Sequence, residues 1–334
     1  MKQHNYKIIG LMSGTSLDGL DISYVNYFKI EDEWNFELIH SATYEYSSEL
    51  VANLQNSSSL NAFQMVQLDQ ELGRFFAEKV NDFRAKHSLS LEDIDYISSH
   101  GHTIFHQPDK GITLQIGCGT TIAFMTQLKV INDFRKKDVI AGGQGAPLVP
   151  IGDFLLFRQH ANSFLNIGGF ANLSFKKSNT IKAFDVCPAN ILINWYMRKL
   201  GHPFDKNGNI ARSYPIDDQL LIELNSNPIY SDEDPQSLAL EWLEENIIPV
   251  IEAYECSLES KIATITEYVA IQISKRLNKH DLKSVYITGG GAKNSHLISR
   301  IQTFYEGEIH IPKTEIIDFK EAIIFGFLGV LYLE

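Results

Sequence analysis

Short runs rich in β-branched and aromatic residues, broken by polar turn residues, open the chain. Tyr6–Met12, Asp21–Phe28 and Phe36–Tyr44 are predicted strands. Gly14 and Gly19 mark the first gap between them, and the charged Glu31–Glu33 segment marks the second. The period then changes. Met65, Leu68, Leu72, Phe75, Phe76, Val80 and Phe83 recur at three- and four-residue steps, which puts one apolar stripe on a helix. Tyr96–Ser99 and Ile112–Ile116 read as strands, Thr120–Gln127 as a short helix and Lys129–Asn132 as a further strand.

The second half repeats this order. Ser163–Ile167, Asn172–Phe175 and Ile181–Asp185 read as strands, and a helix follows at Ile191–Leu200 with Gly201 as its stop. Helical patterns continue over Pro235–Glu255 and Leu258–Lys279. The latter sets Leu258, Ile262, Ile265, Val269, Ile273 and Leu277 on one side. Val285–Thr288 is a strand, and Asn294–Tyr305 and Lys320–Tyr332 are helices.

Three strands followed by alternating helix and strand, twice over, predict two related α/β domains flanking a cleft. A length of 334 residues agrees with two cores rather than one. The domains are expected at 1–140 and 141–334, with the boundary near Ala141–Pro147 to within about ten residues. The last helix, 319–334, is expected to pack back on the first domain.

Composition narrows the function classes. Hydrophobic residues make up 44% and charged residues 21%, which describes a globular chain. A net charge of −12 opposes unspecific nucleic-acid binding, yet backbone N–H groups can still hold phosphate inside an acidic protein. Cys118, Cys187 and Cys256 lie far apart with no C-x-x-C spacing, so neither a disulfide framework nor a structural zinc site is expected. No signal-peptide pattern precedes the first strand, and Ala322–Leu333 falls short of the about 20 residues a membrane span needs. The expected setting is the cytoplasm.

Three glycine segments are candidates for chemistry. In Gly10-Leu-Met-Ser-Gly-Thr-Ser-Leu-Asp-Gly19 the glycines permit close backbone approach. Ser13, Thr15 and Ser16 supply hydroxyls, and Asp18 is a candidate ligand for Mg2+. No Lys follows the last glycine, so this is not a Walker loop, and a plain Ser/Gly hairpin is the competing reading. Leu165-Asn-Ile-Gly-Gly-Phe-Ala-Asn172 carries Gly168, Gly169 and Asn172 at the matching turn of the second half. Val285-Tyr-Ile-Thr-Gly-Gly-Gly-Ala-Lys-Asn294 runs a strand through Gly289, Gly290 and Gly291 into a helix at Asn294, which suits a nucleotide.

These segments, with Ser99-His-Gly-His-Thr-Ile-Phe-His106, Leu114–Gly117, Asn132–Asp138, Ala141–Pro150, Phe184–Asn190 and Asp205–Gly208, resemble the anhydro-N-acetylmuramic acid kinase family of the actin/hexokinase/Hsp70 superfamily. The resemblance runs nearly end to end. It implies a duplicated actin-like, ribonuclease H-like βββαβα fold, with ATP and Mg2+ as cofactors and a small anhydro amino sugar as substrate. It also implies a coupled reaction. Water opens the 1,6-anhydro ring at C1, and the freed O6 takes the γ-phosphoryl group, giving N-acetylmuramic acid 6-phosphate for cell-wall recycling. Asp185 is the catalytic base by this match and Glu321 a second catalytic acid, while a helix-capping Asp is the competing reading for Asp185. Gln115, Asp133, Arg135 and Asp138 are the sugar contacts, with Arg135 suited to the lactyl carboxylate. A surface ion pair with Asp133 or Asp138 is the competing reading for Arg135. A homodimer is a further implication.

The chain also departs from the family. Val186-Cys-Pro-Ala-Asn190 replaces the usual Thr-Gly-Pro-Gly-Asn, His102 stands where Gln is usual, and Pro235-Gln-Ser-Leu-Ala-Leu-Glu241 lacks the usual Lys, Gly and Arg. If the missing glycines needed positive φ, Cys187 or Ala189 would be strained. A kinase for another amino sugar or hexose, or an ATP- or sugar-binding sensor without activity, are the alternatives these changes leave open.

Overall fold

The computed structural model describes residues 5–14, 16–178, 180–227, 229 and 238–334. The chain divides into two compact units, Met1–Phe157 with Phe319–Glu334, and Arg158–Asp318. The division falls at Phe157/Arg158, not at the expected 140/141. The glycine-rich Ala141–Pro147 stretch, where the boundary was expected, is tied into the first unit. Asp138 accepts the Gly145 N–H at 2.6 Å, and Arg135 Nη1 donates to the Gly145 carbonyl at 2.8 Å.

The first unit is built on a sheet. β1 (Tyr6–Ser13), β2 (Leu20–Ile30) and β3 (Glu33–Tyr44) form an antiparallel meander. β4 (Tyr96–Gln107) adds parallel to β1. β5 (Ile112–Ile116) pairs antiparallel with the later half of β4, and β6 (Val130–Ile131) pairs parallel with its start. β4 extends well past the expected Tyr96–Ser99. Its continuation carries buried histidines, His100 and His102, whose polarity disguised an interior strand.

One face of this sheet packs on the Ala62–Lys86 helix through Leu68, Leu72, Phe76, Val80 and Phe83, against Ile9, Leu11, Ile22 and Ile97. That helix starts in a capping box, Asn61 and Gln64 each accepting the other's backbone N–H. The final helix, Thr314–Leu333, provides the other contact surface, and its segment from Phe319 belongs to this unit. Ala322, Ile323, Ile324, Phe325, Phe327, Leu328 and Val330 are all buried, as expected of a helix apolar on every side.

This contact works only at backbone distance. A Cβ on Gly10 would collide with the Ala322 carbonyl oxygen, and one on Gly329 would sit 2.6 Å from Ser98 Oγ. The Tyr27 hydroxyl donates to the Ile323 carbonyl and the Ser98 hydroxyl to that of Phe325. At the helix start Lys320 Nζ lies 3.0 Å from Asp153, both side chains buried.

The second unit repeats the plan. β7 (Ser163–Ile167), β8 (Phe170–Lys177) and β9 (Thr180–Pro188) form an antiparallel meander. β10 (Ser284–Thr288) adds parallel to β7, and β11 (Glu308–His310), too short to show in the sequence pattern, adds parallel to β10. The order β11-β10-β7-β8-β9 matches β3-β2-β1-β4 with β6 beside β4, read from the opposite edge. The Leu258–Lys279 helix is buried well beyond its apolar stripe, and its Glu267 is held by a bidentate Arg300 at 2.6 Å.

Of the expected Pro235–Glu255 helix, 235–237 lie outside the described residues. The rest forms two short helices, Leu240–Asn246 and Ile248–Glu252, separated where Pro249 withholds an N–H. Neither Cys187 nor Ala189 takes a positive φ, so the left-handed backbone that would have required the missing glycines is not used here.

Replacing Lys320 by Met leaves Asp153 buried without its cation and is expected to cost about 3–5 kcal/mol. Replacing Asp153 by Leu as well restores most of that loss. Urea unfolding of the single and double variants checks both.

Candidate active site

The glycines of the three segments divide by what the protein itself demands of them. Gly10 lies inside β1 and is needed by the final helix. A Cβ on Gly19 would stand 2.5 Å from the Tyr44 carbonyl oxygen. Gly289 has φ +81 and would meet the Ile167 carbonyl at 2.7 Å, while Gly291 sits against the Ile167 side chain. These four are accounted for by packing.

Gly14, Gly168, Gly169 and Gly290 are different. Each has room for a Cβ at ordinary contact distance, and none has a positive φ. The fold does not require glycine there, so these turns leave space for a ligand beside the backbone, although the Gly168 N–H is already paired with the Phe170 carbonyl at 3.2 Å.

In the first turn Leu17 N–H reaches the Gly14 carbonyl at 3.3 Å, and the exposed Ser16 hydroxyl donates to Asp18 at 2.8 Å. Thr15 lies outside the described residues. Ser13, expected at the nucleotide, is instead buried within a chain of polar groups. Tyr46 donates to its hydroxyl at 2.6 Å, and His102 Nδ1 lies 2.8 Å away. His102, at the family's Gln position, therefore serves as an internal hydrogen-bond partner.

In the second turn the carbonyls of Gly168 and Gly169 receive the N–H groups of Asn190 and Ala189, at 3.2 and 2.8 Å, where the Asn190–Lys199 helix starts. Asn190 Nδ2 donates to the Ile167 carbonyl at 3.0 Å. The third segment leads into the Ser295–Phe304 helix. Asn294 Oδ1 caps that helix by accepting the Leu297 N–H at 3.0 Å, which leaves its amide nitrogen as the donor for a ligand.

Within the second unit a cavity of about 450 Å³ lies beside Gly290, lined by Asn190, Asn194, Phe204, Lys206, Lys293 and Asn294 among others. Its size and mixed lining suit an adenosine moiety. The Phe204 ring, 55% exposed, and the amides of Asn190 and Asn194 offer stacking and hydrogen bonds. Asp205 organises this corner by accepting the N–H groups of Ile210 and Ala211, each at 3.0 Å. Phe204 and Asn194 escaped the sequence reading, since no spacing marks them, and Lys206 was marked only as part of the Asp205–Gly208 segment. The neighbouring Asp205–Gly208 segment was the available signal.

Asp185 faces Asn172 across β8 and β9. One carboxylate oxygen accepts from the Asn172 amide and the other from the Leu238 N–H at 2.8 Å. Asn172, expected at the nucleotide, is therefore turned to this acid. Burial pushes the Asp185 carboxyl up despite both bonds. It does not cap the following helix, whose preceding residue is Ala189.

The sugar-contact candidates all fall in the first unit. Arg135 forms neither of the ion pairs considered for it. Its Nε donates to His100 Nε2 at 3.1 Å and its Nη1 to the Gly145 carbonyl. Asp133 pairs with Lys136 at 3.4 Å, and Asp138 is spent on Gly145 N–H. Gln115 donates to Thr113 at 2.9 Å, and Thr113 also meets His106 at 3.1 Å, making a polar patch on β4 and β5. Glu321, on the final helix, has its carboxyl raised by burial against the pull of Lys320 and Arg135, and it also feels Asp18. Among the described residues no group of three or more His, Cys, Asp or Glu is placed to hold a metal.

The family model described as anhydro-N-acetylmuramic acid kinase matches residues 6–334. Curated relatives under that description include one from Francisella tularensis subsp. novicida (strain U112), 35% identical and covering 98% of this chain and 92% of its own. One from Shewanella baltica (strain OS155 / ATCC BAA-1091) is 37% identical over 91% and 85%. One from Bacillus thuringiensis subsp. konkukian (strain 97-27) is 34% identical over 96% and 91%.

Gly290→Ala is expected to keep or gain stability, by up to about 1 kcal/mol, because the site tolerates a Cβ. The same variant weakens ATP binding, whereas Gly289→Ala destabilises the fold. Thermal unfolding and calorimetric titration separate the two. Asn172→Ala removes a hydrogen bond that favours ionised Asp185, so the Asp185 carboxyl titrates at higher pH. Carboxyl-carbon NMR reads that shift, and a midpoint unchanged or lower refutes it.

Proposed function

The chain belongs to the anhydro-N-acetylmuramic acid kinase family, and we propose that it hydrolytically opens 1,6-anhydro-N-acetylmuramic acid and phosphorylates the freed O6. The product is N-acetylmuramic acid 6-phosphate, an intermediate of cell-wall sugar recycling. The match over residues 6–334 carries this reading. The open backbone at Gly14, Gly168, Gly169 and Gly290 supports it independently, because the fold gives no reason for glycine there.

In this reading Asp185 accepts the proton of the water that attacks C1. Its raised pKa makes it a stronger base while it stays ionised above that value. The C1–O6 bond breaks with its electrons on O6, and O6 is then the nucleophile at phosphorus. Arg135 meets the lactyl carboxylate, and the amide of Gln115 orients the sugar hydroxyls. Glu321 is the second catalytic acid of this reading, and its charge favours the cationic form of Arg135. Asp133 and Asp138 act through the loop they brace. The cavity at Gly290 takes the adenosine part, with the open turns left for the phosphates.

ATP would give up its γ-phosphoryl group to O6 and leave as ADP, and Mg2+, when bound, would neutralise charge on the phosphate oxygens. Exposed Asp18, with Ser16 on its carboxylate, would hold the metal, since a phosphate-bound Mg2+ needs only one or two protein carboxylates. The reading includes a cytoplasmic setting where ATP is supplied, and a homodimer. Among the described residues no helix is long and apolar enough to cross a membrane.

Turnover in oxygen-18 water tests the coupling. The expected product carries one labelled oxygen at C1 and a phosphate on O6 by mass spectrometry. Phosphorylation of open N-acetylmuramic acid or a hexose in preference to the anhydro sugar overturns the assignment. Asp185→Asn is expected to lose turnover by a factor of about 100 or more while still binding ATP.

A further inference from the structure

We propose that His100 is a positioning residue for the sugar, acting through Arg135 by presenting a fixed, neutral acceptor nitrogen to the guanidinium. The inference rests on the reading of Arg135 as the sugar's carboxylate partner and adds to it the group that sets its direction.

His100 lies on β4 with its side chain buried. Its Nδ1 stands 3.0 Å from the Gly101 carbonyl oxygen, which can only accept, so Nδ1 carries the hydrogen. Nε2 is then left with a lone pair, and Arg135 Nε donates to it at 3.1 Å. One backbone carbonyl thereby selects the tautomer that an arginine requires. Burial and the charge of Arg135 push the His100 imidazole down to about 3, so it stays neutral in any ordinary buffer.

The guanidinium is held at a second point by the Gly145 carbonyl, 2.8 Å from Nη1. Two fixed acceptors on a planar group define its plane, and the Nη2 amine is left for a ligand. The imidazole also packs on Phe325, with ring centroids 4.3 Å apart. Phe325 is four residues beyond Glu321, hence on the same face of the final helix. His100 therefore touches both Arg135 and the helix that carries Glu321. A histidine serving only as filler would need the ring contact but not the Arg135 bond, and that difference is testable.

The experiment measures KM and kcat for both substrates in His100→Leu, His100→Gln, His100→Asn and Arg135→Ala. Gln carries a carbonyl oxygen near the place of Nε2, whereas Asn is too short to reach Arg135. His100→Leu and His100→Asn are expected to raise KM for the anhydro sugar about ten- to a hundredfold, the loss of one charge-assisted hydrogen bond. KM for ATP stays put, and His100→Gln recovers most of the loss. In an Arg135→Ala background His100→Leu adds nothing further. If Arg135→Ala raises the sugar KM while folded His100→Leu and His100→Asn stay within about twofold of wild type, the role of His100 is overturned and the sugar reading stands. If Arg135→Ala itself leaves the sugar KM unchanged, the reading of Arg135 fails and the inference with it. Should His100→Leu not fold, the comparison of Asn with Gln decides alone.

Discussion

The first unit depends on the closeness with which its last helix lies against β1. Gly10 and Gly329 remove side chains at the contact, and the Tyr27 and Ser98 hydroxyls bond to helix carbonyls from the sheet. Hydroxyl-to-carbonyl bonds at this depth require the two backbones to keep one register, because the groups have no alternative partner in an apolar surrounding. That register puts Lys320 on Asp153 and Phe325 against His100, and brings the Glu321 charge to bear on Arg135. Site geometry on this unit is therefore a consequence of packing several residues away.

Much of the architecture was legible because its strands and helices are locally consistent. The meanders β1–β3 and β7–β9, β10, the Ala62–Lys86 helix and the Leu258–Lys279 helix follow their apolar periods closely. Difficulty arose where tertiary surroundings outvote local composition. The later half of β4 holds His100 and His102 inside the sheet, which no polarity pattern reveals. β11 is three residues long and exists only because β10 offers an edge. The Ala141–Pro147 glycines look like a hinge, but Arg135 and Asp138 hold them to the first unit.

The site was partly legible for a related reason. Sequence marks where glycine occurs, but not why. Gly10, Gly19, Gly289 and Gly291 answer to neighbouring backbone and side chains, while Gly14, Gly168, Gly169 and Gly290 do not. Side chains behave similarly. Ser13, Asn172 and Asn294 are polar groups near glycine turns, yet their hydrogen bonds run to Tyr46 and His102, to Asp185 and to a helix start. Phe204 and Asn194 face the cavity beside Gly290 through folding alone.

A discontinuous unit also has a history. Residues 1–157 cannot bury the sheet face that the Thr314–Leu333 helix covers until 319–334 exist, since a whole unit, 158–318, lies between them in the chain. During synthesis that apolar face waits for the whole intervening unit to be made, a long interval for an exposed surface and a natural point for chaperone attention. The Glu321 charge is felt at Arg135 only after that wait. A nascent chain that has not yet reached Glu321 lacks one of the proposed catalytic acids, so competence waits on the helix that carries it.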